Sequence, residues 1–154
     1  MPRFAFSQID VFTARPGYGN PLALVHGAAG LSSDKMQHFA HWTNLSETAF
    51  LLPPTAPEAD YQVRIFTPKS ELPFAGHPTL GSCHGWLAAG GVPKGEFIVQ
   101  QCQAGLVKIR RDGRRLAFAA PPAAQSDIAP QMQARIARIL GLSLIHISEP
   151  TRPY

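Results

Sequence analysis

The segment Gly76-His77-Pro78 leads into eleven residues, Thr79 to Ala89 (TLGSCHGWLAA), without a single Asp, Glu, Lys or Arg, and the run stops at Gly90-Gly91. Proline suits the start of a helix, where its missing N–H would have no partner. A glycine pair is a common helix stop. The pattern predicts a helix from about Pro78 to Ala89. A helix without a charged face is buried on most sides. The strands on either side of it in sequence are therefore expected to wrap around it.

Those flanking segments read as short strands with turns, in keeping with 15 prolines and 13 glycines. Phe4 to Thr13 alternates as a strand, Arg15 to Asn20 (RPGYGN) is turn chemistry, and Pro21 to Val25 is a second strand. Ser32 or Ser33 can cap a helix from about Asp34 to Thr43, with Met36, Phe39, Ala40 and Thr43 on one side. Ser46 to Leu52 and Tyr61 to Thr67 are further strands, and Lys69 to Ala75 is a loop. Phe97 to Cys102, Leu106 to Arg110 and Leu116 to Ala119 follow, the last two joined at Asp112-Gly113, a hairpin turn signal. Pro130 to Leu140 repeats apolar residues at helical spacing and Gly141 ends it. The class is α+β.

Charged residues make up only 16% of the chain, which points to surface covered by another domain or subunit. The net charge is +4, and the densest basic group is Lys108, Arg110, Arg111, Arg114 and Arg115. No aromatic residue interleaves with these charges, so a solvated hairpin tip is favoured over a nucleic-acid surface. Cys83 and Cys102 lack zinc-site spacing. The N-terminus carries no secretory pattern, and no apolar run approaches the roughly 20 residues that span a bilayer. The expected setting is cytoplasmic and reducing, with both thiols free. Three regions are expected: a domain over residues 1–122, a linker with the first helix of a further domain over 123–142, and a tail over 143–154. That tail, SLIHISEPTRPY, resembles a reading frame through sequencing-adapter DNA, so the natural chain is expected to continue past about Leu142.

Two places could carry chemistry. Glu47, in Asn44-Leu45-Ser46-Glu47-Thr48, is a carboxylate at the edge of the apolar strand Ala49 to Leu52. Partial burial raises a carboxylate's pKa, because the charged form loses hydration, and such a group can take and return a proton. A surface glutamate at a strand start is the alternative. At Gly76-His77-Pro78-Thr79, the free N–H groups of a helix start attract anions, Gly76 permits close approach to the backbone, and His77 adds a donor or proton carrier. The alternative is a Gly-His-Pro turn with a structural histidine. Asp10 and Asn20 could line a site, though an edge-strand Asp and a turn Asn are the plainer readings. Glu71 reads as a loop carboxylate. Cys83 reads as inert packing, and neither cysteine has the partners of a nucleophile. Gly17 to Gly19 lacks the rest of a dinucleotide fingerprint.

Taken in order, Asp10-Val11-Phe12-Thr13, Gly19-Asn20-Pro21-Leu22-Ala23, Asn44 to Phe50, Val63 to Pro68 and Glu71 to Gly81 resemble the PhzF-like phenazine-biosynthesis family over about Met1 to Pro122. The resemblance implies a diaminopimelate-epimerase-like fold: two similar halves, each a β-barrel or curled mixed sheet around a central buried helix, with the active site between them. It places the family's catalytic glutamate on Glu47 and its substrate-binding Gly-His on Gly76 and His77, with Pro78, Thr79 and Asn20 beside them. The best-known member isomerises trans-2,3-dihydro-3-hydroxyanthranilate without a cofactor. The resemblance implies a small carboxylate-bearing metabolite as substrate and a homodimer for the full-length protein, with no metal, nucleic acid or membrane partner. The epimerase relatives use two cysteines, one of them where His77-Pro78 stands here, which argues against two-thiol racemisation. The remaining catalytic residues, an Asp and a small hydroxyl or glycine, belong to the second half in this family, so a chain ending near Leu142 is expected to be inactive alone. A non-catalytic anion-binding or dimerising scaffold, and an epimerase, are the competing readings.

Overall fold

Antiparallel pairing of Ala5–Val11 (β1) with Asn20–His26 (β2) opens the sheet, and its register sets Val11 opposite Asn20. The computed structural model describes residues 3–113, 115–119 and 126–141. The segment expected as a linker and helix over 123–142 therefore falls partly outside the described residues, and the tail expected over 143–154 falls wholly outside them. The chain divides into two units, Met1–Ala119 and Ala120–Tyr154.

In the first unit, Ser33–Thr43 (α1) carries the chain from β2 to Thr48–Leu52 (β3), which pairs parallel to β2. Tyr61–Phe66 (β4) pairs antiparallel to β3. The other edge of β4 is shared. Glu71–Leu72 (β5) pairs with its C-terminal end, while Ile98–Cys102 (β6) pairs parallel with its N-terminal end. Gly76–Ala88 (α2) makes that second crossover. Gly105–Asp112 (β7) and Arg115–Phe118 (β8) complete a mixed, curled sheet in the order β1-β2-β3-β4-β6-β7-β8. The second unit contributes Pro130–Leu140 (α3), which starts on a proline and ends at Gly141 in the left-handed conformation.

Each face of the sheet carries its own core. Leu22, Leu24, Ala49, Leu51, Tyr61, Val63, Ile65, Ile98 and Ile109 pack with Cys83 of α2. Val25, Phe50 and Phe66 pack with Met36 and Ala40 of α1. β2 is buried on both faces from Leu22 to Val25, which is why it reads as an unbroken apolar run instead of alternating. The N-terminus of α1 follows its signals, with the Lys35 N–H donating to Ser32 Oγ at 3.4 Å.

The charge-free helix packs against β1, β2, β3, β4, β6 and β8. Gly81 and Gly85 are one turn apart, and a Cβ at either would overlap Leu22, Leu24, Val11 or Ile9 side chains. Their lack of side chains lets the helix lie directly on β1 and β2. Several boundaries differ from the sequence reading by one or two residues, β1 for example ending at Val11 instead of Thr13, and two of them bear on Glu47 and His77. The helix begins at Gly76, so Pro78 stands third in it, a position whose N–H is still unpaired in an ideal helix. Strand β3 begins at Thr48, because Ser46 and Glu47 turn off the end of the ladder.

Candidate active site

Asn44 ends α1 in the left-handed conformation (φ 54°), and the chain crosses from there into β3 through Leu45 to Glu47. Glu47 therefore stands half-buried just before the strand. β2 runs parallel alongside β3, and α2 begins nearby. His77, the second residue of α2, is buried. Its Nδ1 lies 2.8 Å from Glu47 Oε2, and its Nε2 lies 3.1 Å from the main-chain oxygen of Asn20. The side chains are 8% (His77) and 20% (Glu47) exposed, so the pair is largely desolvated with an opening on the carboxylate side.

This geometry fixes where the protons stand. A main-chain carbonyl only accepts, so the Nε2–H of His77 donates to it. A neutral ring with its proton on Nδ1 would set an Nε2 lone pair against the Asn20 oxygen. With Nε2 protonated, the Glu47–Nδ1 contact holds one proton, either on the ring (imidazolium beside carboxylate) or on the carboxyl (neutral acid beside neutral ring). A carboxyl group and an imidazole sharing one proton can accept or release it with little rearrangement.

Around this pair the sequence-derived site residues separate. Asn20 reaches His77 through its carbonyl, and its side-chain Oδ1 accepts from Ser46 Oγ at 3.3 Å. Gly76 and His77 carry the first N–H groups of α2, and among the described residues neither donates to another group. The space beside Gly76 is not open: a Cβ there would lie 3.2 Å from Phe118, whose ring packs edge-on against Phe74. Pro78 is buried and has no N–H to offer.

Thr79 is fully buried, and both of its donors are engaged. Its N–H and hydroxyl both donate to Ala75 O, and Gln100 Nε2 donates to the hydroxyl at 3.0 Å. The Tyr61 hydroxyl closes this chain by donating to Gln100 Oε1. Asp10 accepts from the Gly17 N–H at 2.6 Å and so shapes the turn before Asn20. Glu71 forms a two-point ion pair with Arg64, with Nε to Oε1 and Nη2 to Oε2 both at 2.7 Å. Burial pushes the Cys83 thiol up to about 11 and raises Cys102 as well. Neither is a ready nucleophile.

The chain matches the PhzC-PhzF family, described as phenazine biosynthesis-like protein, over residues 9–151. The chain belongs to the PhzC-PhzF family. This match takes in residues 143–151, part of the segment expected from sequence to be a non-native tail. Antisense-enhancing sequence 1 of Schizosaccharomyces pombe is 41% identical over 99% of this chain and 54% of that protein. A trans-2,3-dihydro-3-hydroxyanthranilate isomerase of Pseudomonas aeruginosa is 39% identical over 71% of this chain and 39% of that protein. Among solved structures, a PhzC/PhzF protein from Clostridium difficile superposes with TM-score 0.73 at 26% identity, covering 92% of this chain and 52% of that one. A predicted epimerase from Pseudomonas aeruginosa superposes with TM-score 0.67 at 30% identity, over 96% and 53%. The chain spans about half the length of the curated relatives it matches.

One residue beside the pair, read from sequence only as part of the first strand and of the Asp10-Val11-Phe12-Thr13 motif, was not expected at the site. Phe12 directly follows β1 with φ 65°, and its ring centroid is 6.1 Å from that of His77. Phenylalanine gives no signal for the left-handed conformation, which glycine and asparagine usually occupy. The 560 Å³ groove lined by Phe4, Phe6, Leu31 and Phe39 lies on the α1 side of the sheet and contains none of the pair's residues.

Proposed function

We propose that the protein is an isomerase that moves a proton on a small ring carboxylate without a cofactor, of the type that acts on trans-2,3-dihydro-3-hydroxyanthranilate. The observation carrying this reading is the contact between Glu47 and His77, which leaves one mobile proton on a half-buried carboxyl beside the free N–H groups of a helix start. Glu47 as carboxylate takes a proton from a substrate carbon, the double bond shifts, and the same carboxyl returns the proton to another carbon. One C–H bond breaks and one forms, so nothing is oxidised or reduced. His77, oriented by Asn20 O, stabilises the Glu47 carboxylate before the first transfer and after the second. The Gly76 and His77 N–H groups receive the substrate's carboxylate. Because the chain spans about half of its relatives, we propose that a second, similar half closes over this site and supplies the remaining groups, and that this half alone does not turn over.

Glu47→Gln in the full-length protein tests the reading, with trans-2,3-dihydro-3-hydroxyanthranilate as probe. Gln preserves the contact with His77 but cannot carry the proton. Turnover is expected to fall by about 10²–10⁴-fold with binding retained. Unchanged turnover removes Glu47 from the chemistry, and a protein that binds the probe but never converts it supports a scaffold instead.

A further inference from the structure

Phe12 is conformationally costly and gains little from the rest of this chain. Its backbone lies in the left-handed region, where a bulky side chain is an outlier. The residue is 69% exposed, so burial within this chain does not offset the strain. Among the described residues its one aromatic contact is His77, at a tilt of 42°. The register of β1 with β2 sets Phe12 just past the Val11–Asn20 pair, beside the carbonyl that holds His77. Glycine would occupy this φ without strain. Strained positions of this kind gather where ligands are gripped.

We infer that Phe12 is a specificity-determining residue that holds the flat face of an unsaturated ring carboxylate against the Glu47–His77 pair. A ring laid on Phe12 lies beside the imidazole that holds Glu47, with its carboxylate directed to the start of α2. A saturated ring bearing the same polar groups lacks the flat face, so Phe12 discriminates between the two through stacking. The inference rests on the isomerase reading of this site.

The test uses the full-length protein and two probes with the same substituents, anthranilate and 2-aminocyclohexanecarboxylate. Phe12→Gly is expected to weaken anthranilate binding about three- to tenfold, the range of an aromatic pair, and the saturated acid by less than about twofold. Its Tm should hold or rise, because the strained φ is relieved. Equal losses for both probes overturn the inference, as does unchanged anthranilate binding. A Tm drop of several degrees does so too, by marking Phe12 as a packing residue. Wild-type protein that binds neither probe overturns the inference, and if Glu47→Gln also leaves turnover unchanged the isomerase reading fails with it. If only the Phe12→Gly results go against expectation, the isomerase reading stands.

Discussion

Replacing Thr79 by Val should destabilise the domain more than replacing it by Ser, although Val conserves the side chain's shape and Ser removes a methyl group. The buried Thr79 hydroxyl receives a hydrogen bond from Gln100 Nε2 at 3.0 Å and gives one to Ala75 O at 2.9 Å. Ala75 O keeps the Thr79 N–H as donor in either variant. The cost of Val therefore falls on Gln100, itself fully buried, whose amide donor loses this acceptor. A buried donor left unsatisfied costs about 1–3 kcal/mol, and because Gln100 is fully buried the upper part of that range, about 2–3 kcal/mol, applies to Thr79→Val. Thr79→Ser keeps the hydroxyl and loses a buried methyl, about 1 kcal/mol. Urea unfolding followed by circular dichroism reads both values, and the Val variant's Tm should drop by about 8–12 °C. Ligand affinity of the folded Val variant should stay within about twofold of wild type (a 0.4 kcal/mol margin at RT ≈ 0.59 kcal/mol). A Val variant as stable as Ser, or one whose only defect is ligand binding, would refute the assignment of Thr79 to the buried network.

Other outcomes follow from the same structure. The folded-state rise of Cys83 to about 11 from 9.0 means that the unfolded chain loses this proton first as pH rises. Its stabilising contribution is complete below about pH 9 and is lost by about pH 11, amounting to about 2 kcal/mol, and Tyr61, raised by burial, adds to the decline at higher pH. Unfolding measured at pH 8 and pH 11 should show this loss, and Cys83→Ala should flatten it; an equal slope in that variant would remove Cys83 as the cause. Arg64 and Glu71 form a two-point pair with side chains 24% and 28% exposed. A double-mutant cycle should give a coupling of about 0.5–1 kcal/mol that shrinks in high salt, with turnover of the full-length protein unchanged.

How much could be read in advance depended on how local each signal was. The α2 helix was legible because absence of charge and a glycine stop are properties of one segment. The contact between Glu47 and His77 was not, since it joins residues 30 apart through the packing of β2, β3 and α2. Thr79 was grouped with His77 by adjacency, but two residues along a helix is a turn of about 200°, which carries its hydroxyl to the buried side. The two-residue strand β5 was read as loop, because so short a pairing leaves no alternation to detect. Phe12 was read as part of the first strand and not as a site residue for the opposite reason: its residue type argues against the backbone it adopts.

The most direct check of the shared proton is the ¹⁵N spectrum of the His77 ring in the folded protein. A proton should reside on Nε2 throughout the pH range of folding, held by Asn20 O, and Glu47→Gln should shift the Nδ1 signal. A neutral ring protonated only on Nδ1, or a spectrum indifferent to Glu47, would contradict the account.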